Sequence, residues 1–115
     1  MIKLLSRFLL VLLLCTGCAQ SDIEITTSAH FRNDDLLVEH YEKHGKYMGY
    51  SSAQEYEKGA QRVISDPSSL KKIEREDGDR IYYLEDTNEI VFVSTEDIIR
   101  TYFNPNDGIR YFNRQ

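Results

Sequence analysis

Both cysteines of the chain fall within its first eighteen residues, at Cys15 and Cys18, so the sequence beyond them can form no internal disulfide. Any folded unit downstream must be held by its apolar core alone, even in an oxidising compartment. The residues around these cysteines add a second constraint. Lys3 and Arg7 supply positive charge, Phe8 to Cys15 is an unbroken apolar run, and Thr16-Gly17 places two small residues before Cys18. The run is shorter than the roughly 20 apolar residues a membrane-crossing helix needs. Its charged start, apolar centre and small-residue ending have the layout of an export signal.

An export signal that ends on cysteine resembles the lipoprotein signal of bacteria, with Cys15 where such signals usually carry leucine. The resemblance implies that residues 1–17 are removed and that Cys18 becomes the lipidated first residue of the mature protein. That places the protein on a membrane of the bacterial cell envelope, at the outer membrane or periplasmic face and not in the cytoplasm. A plain secretory signal, or an uncleaved anchor with Cys18 unmodified, is the alternative. The C-x-x-C spacing of Cys15 and Cys18 would suggest a redox or metal pair inside a folded domain, but at the end of a signal core it does not.

Removing residues 1–17 leaves 98 of the 115 residues, enough for one small domain and too few for two. Lys3 and Arg7 leave with the signal, so 12 basic side chains face 19 acidic ones, a net charge of −7. That balance argues against nonspecific affinity for nucleic acid, which depends on neutralising phosphate. The charge is uneven, however: after Ile98, Arg100, Arg110 and Arg114 stand against Asp107 alone. Eight tyrosines and five phenylalanines, with no tryptophan, supply an aromatic-rich core.

Residues 18–33, with Ser21, Thr26, Thr27 and Ser28, read as a lipidated N-terminus and tether. A domain is expected over 34–115. Asn33, Asp34 or Asp35 can cap a helix, and Leu37, Tyr41, His44 and Met48 follow at helical spacing. Ser52-x-x-Glu55 is a capping box, opening a second helix whose Ala53, Tyr56, Ala60, Val63 and Ile64 form one stripe until Asp66-Pro67 stops it. The remainder reads as strands at 71–76, 80–85, 89–94 and 98–103, with a last short strand at 109–112. Asp77-Gly78 makes a hairpin turn, and Asn104 to Gly108 has loop chemistry. The expectation is an α+β domain: two N-terminal helices packed on a four- to five-stranded antiparallel sheet.

His40 and His44 lie four apart on the first helix and so share a face. Two imidazoles at that spacing can hold a metal, but no cysteine or third ligand follows at a fixed interval. One packed and one solvated histidine is the plain structural reading. Acid–base work is the third, because imidazole titrates nearest neutral pH. In Ile98 to Phe103, strand alternation places Arg100 and Tyr102 on one face and Thr101 on the other. Arg100 is either a solvated edge residue or a phosphate-binding group beside the Thr101 and Tyr102 hydroxyls, since its planar fork matches phosphate oxygens.

Three stretches together, His40 to Gly49, Asp86 to Ile90 with Val93, and Ile99 to Pro105 with Gly108 and Tyr111, resemble a bacterial toxin domain. This is the ribonuclease domain at the C-termini of contact-dependent growth inhibition proteins, of the broad barnase, EndoU, colicin and RelE-like group. Asn104 stands where the resemblance has lysine, and Tyr111-Phe112 where it has Tyr-Trp. The resemblance implies cleavage of RNA, often transfer RNA, without metal or other cofactor. It implies His44 as acid or base with His40 as partner, Lys46 and Arg100 as phosphate contacts, and Thr101 and Tyr102 as hydrogen-bond donors or ribose-positioning groups. The implied partners are the membrane, through lipid on Cys18, RNA, and an immunity or envelope protein. A noncatalytic envelope lipoprotein that uses the same fold to bind a protein is the second expectation.

Overall fold

Asn33 starts the first helix: its backbone is extended, and its side-chain oxygen accepts a hydrogen bond from the Leu36 amide at 2.9 Å. Ser52 does the same for the second helix, accepting from the Glu55 amide at 3.1 Å. The computed structural model describes residues 23–115. The export signal, Cys18 and the first part of the expected tether lie outside the described residues. In chain order the elements are β1 (His30–Phe31), α1 (Asp34–His40) running into a π-helical turn (Tyr41–Gly45), α2 (Ala53–Ser65), β2 (Leu70–Ile73), β3 (Arg80–Leu84), β4 (Glu89–Val93), β5 (Ile98–Phe103) and α3 (Ile109–Arg114).

The five strands form one sheet in the order β1-β5-β4-β3-β2. Neighbouring pairs from β2 to β5 are antiparallel, but β1 runs parallel to β5. The sheet is therefore mixed, which corrects the expectation of a purely antiparallel one. The parallel strand comes from the segment read as tether. Phe31 is buried there, and its amide donates to the Glu57 carboxylate at 2.9 Å. Ala29 is fully buried too, with its carbonyl accepting from the Gln61 side chain. The packed unit thus begins before Asp34.

A second correction concerns the C-terminus. Residues 109–112, expected as a strand, begin helix α3. Phe112 stacks on Tyr83 with ring centroids 5.8 Å apart, while Tyr111 meets Phe92 and Phe103 edge-on. Burial of Phe112 with Ile109 packed beside it is helical spacing, not the alternation of a strand.

The sheet has a core on each face. Tyr56 and Val63 of α2 pack with Val91, Val93, Ile99 and Tyr102 on one side, and α3 covers Ile81, Ile90 and Phe92 on the other. Burying an aromatic or aliphatic side chain contributes about 1.5–3 kcal/mol. Strand β5 carries one irregularity that decides which way its side chains point. Phe92 opposes Thr101 and Val93 opposes Ile99, so Arg100 is an extra residue, a β-bulge. Ile99 and Tyr102, three apart, both enter the helix-side core. Arg100 and Tyr102 therefore do not share a face as simple alternation requires.

Candidate active site

The two histidines are set by the junction of α1 with its π-helical turn, where the Lys46 amide donates to the Tyr41 carbonyl at 3.0 Å, five residues back. Gly45 lets this turn press on the core: a Cβ at that position would lie 2.5 Å from Tyr41 and 2.7 Å from Tyr56. The Tyr41 hydroxyl donates to the Tyr50 carbonyl at 2.9 Å and ties down the loop that follows. The His40 and His44 rings come to 6.1 Å centroid to centroid. His40 packs on Phe31 of β1 at 5.2 Å, and His44 stacks on Phe103 of β5 at 5.3 Å.

Burial lowers both imidazoles below their ordinary 6.5. For His44 the neighbouring His40 and Lys43 push the same way; for His40, Lys43 does so against the opposing charge of Glu39. The shift favours the neutral form of both rings. His40 Nδ1 is buried and has no hydrogen-bond partner among the described residues, so a proton placed there would meet no acceptor.

His44 opens onto a cleft of about 550 Å³ whose walls include Phe103, Pro105, Asp107, Tyr111 and Arg114. Arg114 lies over the Tyr111 ring at 5.8 Å and pairs with Asp107 at 3.1 Å. His40 borders a smaller hollow of about 220 Å³ with Phe31, Leu36, Ile99, Arg32 and Arg100. Arg100 is half-exposed, and its Nε stands 2.7 Å from the buried Asp79 carboxylate.

The remaining expected site residues lie elsewhere. Lys46 is exposed, paired with Glu42 at 2.5 Å, and lines neither hollow. Thr101 lies opposite Phe92, on the face covered by α3. Tyr102 is fully buried. Its hydroxyl donates to Glu89 and sits 2.7 Å from the Tyr50 hydroxyl, while Tyr56 donates to its carbonyl. Burial, the charge of Glu89 and these hydrogen bonds hold the Tyr102 phenol protonated at any working pH. In this structure that phenol is a core anchor and not a group facing ribose.

The fold thus gathers His40, His44 and Arg100 along β5 and leaves Lys46, Thr101 and Tyr102 out of that group. Phe103 and Arg32 complete the surroundings of the histidines, and sequence spacing does not single them out. Phe103 ends an apolar strand and reads as core; Arg32 lies in the expected tether. Among the described residues, the three-residue grouping with metal-ligand spacing is Glu74, Asp77 and Asp79, and it includes neither histidine. No helix of the described residues is long and apolar enough to cross a membrane.

No protein-family model matches the chain, and no curated protein matches it in sequence. The fold does have a solved counterpart. A ribonuclease from Escherichia coli, determined in complex with its inhibitor protein, superposes with a TM-score of 0.53 at 19% sequence identity. The match covers 67% of this chain and 95% of that one. The shared feature is the fold: an α+β unit of the kind used by a bacterial ribonuclease.

Proposed function

We propose that this protein is a metal-independent endoribonuclease acting on RNA of the transfer-RNA class, attached to the cell envelope through lipid on Cys18. The observation that carries the reading is the His40–His44 pair, 6.1 Å apart beside β5, with both pKa values lowered and Arg100 flanking His40. In the reaction the ribose 2′-hydroxyl attacks the adjacent phosphorus and the bond to the 5′-oxygen breaks. A neutral imidazole takes the 2′-proton, and the partner imidazole, in the minority protonated form that its lowered pKa leaves near neutral pH, delivers a proton to the leaving oxygen, which leaves a 2′,3′-cyclic phosphate. His44, open to the larger cleft, is one member of the pair, and His40 is its partner. Arg100 and Arg32 stabilise charge developing on the phosphate oxygens. Phe103 and Tyr111 offer aromatic faces in the cleft for an unstacked base.

A second reading, a noncatalytic envelope protein that binds a protein partner with the same fold, is favoured by the mature net charge of −7 and by the pairing of Arg100 with Asp79. Incubating total transfer RNA and excess chelator with a soluble form that begins at Ala19 separates the two. Fragments ending in 2′,3′-cyclic phosphate are expected. Intact RNA in the presence of a well-folded protein would refute the enzyme reading and favour the binding one.

A further inference from the structure

Between β2 and β3 the chain folds back on itself. The Glu74 amide donates to the Asp79 carbonyl at 2.8 Å, and the Gly78 amide to the Glu74 carbonyl at 2.9 Å. Carboxylate oxygens of Glu74, Asp77 and Asp79 lie within 4.8 Å of one another. Exposed acidic groups commonly cluster without consequence, but Asp79 is not exposed: its side chain is 3% accessible. Its Oδ2 faces Arg100 Nε at 2.7 Å, while its Oδ1 is buried with no hydrogen-bond partner among the described residues. A buried carboxylate oxygen with nothing to bind is rare, because it has given up its water for no partner.

We propose that Glu74, Asp77 and Asp79 form a site for a divalent cation of calcium's size and hardness, with Asp79 bridging the ion and Arg100 through its two oxygens. The ligand set is all oxygen, which suits a hard cation. The three oxygens lie close enough together to share one ion; Ca²⁺ accepts irregular, flexible carboxylate arrangements such as this turn offers, whereas Mg²⁺ demands near-ideal octahedral geometry and gives up its water reluctantly. The site is separate from the histidine pair and does not depend on RNA cleavage. It touches that region only through Arg100, whose orientation the loaded carboxylate would hold.

The test is thermal unfolding and two-dimensional NMR of the protein with CaCl₂ raised to about 10 mM, tenfold above the weakest affinity of about 10⁻³ M found in extracellular calcium modules. Ionic strength is matched with NaCl, and MgCl₂ serves as the size control. The expected result is a saturable rise in Tm with Ca²⁺ that exceeds the rise with Mg²⁺. It is accompanied by shifts of the Glu74–Arg80 amides and the Arg100 Nε–H resonance. Asp77→Asn, at an exposed position, is expected to lose the response while remaining folded, and Glu74→Gln provides a second such variant. A wild-type protein whose Tm and spectrum ignore Ca²⁺, or an undiminished response in both variants, would overturn the proposal.

Discussion

Gly59→Ala is the perturbation that most sharply tests how the helix-side core holds the histidine region. On an exposed helix the change stabilises by about 1 kcal/mol, because alanine is the better helix former. Here the new Cβ would lie 2.0 Å from the Tyr50 hydroxyl oxygen, 2.5 Å from its Cζ and 2.8 Å from the Tyr102 hydroxyl. Tyr50 cannot simply swing aside. Its hydroxyl is 2.7 Å from that of Tyr102, and its carbonyl receives the Tyr41 hydroxyl at 2.9 Å. Overpacking costs about 1–3 kcal/mol and loss of the Tyr50–Tyr102 hydrogen bond about 1 kcal/mol more. With the gain in propensity set against these, the variant should be less stable by about 1–3 kcal/mol. For a domain of this size that lowers Tm by roughly 4–8 °C per kcal/mol. Equilibrium urea unfolding and a thermal melt read it directly. Because Tyr50 anchors the loop that follows the π-helical turn, the His44 ring resonances should shift as well. A Gly59→Ala protein as stable as the wild type, with His44 unmoved, would refute the packing argument.

Two further outcomes follow from the same geometry. Arg100→Ala should weaken RNA binding and make the slope of log K against log salt shallower by about 0.7–0.9, one phosphate contact; an unchanged slope would place Arg100 away from RNA. With native histidine pKa values lowered from 6.5, the unfolded chain takes up protons first, so stability should be full above that pH and decline as pH falls below it. His40→Gln should flatten that decline in urea titrations across pH 7 to 5; a decline of unchanged steepness would mean that His40 is not held neutral by its surroundings.

Much of this organisation is legible in the chain, and the illegible parts have identifiable causes. Asn33 and Ser52 announce helix starts because short polar side chains reach the orphan amides of a first turn, and both do so here. The proximity of His40 and His44 follows from their spacing of four, although a π-helical turn intervenes at Tyr41. Strand β1 escapes notice because two residues carry no periodicity; only Phe31 marks it. The bulge at Arg100 leaves no sequence signature, yet it reverses the facing of every residue after it, which is why Tyr102 enters the core. Ile109 to Phe112 is too short for alternation and helical spacing to be told apart, and its helical state is decided by Phe112 packing on Tyr83. A tyrosine's sequence context does not say whether its hydroxyl is used inside or outside, and Glu89 settles that for Tyr102.

The most direct test of the account is the rate of transfer-RNA cleavage by the wild type and by His44→Ala, measured with chelator present and with folding verified by circular dichroism. General acid–base catalysis contributes about 10²–10⁴-fold, so the account predicts a loss of at least about 100-fold in a folded variant. A folded His44→Ala protein that cleaves at the wild-type rate would contradict it.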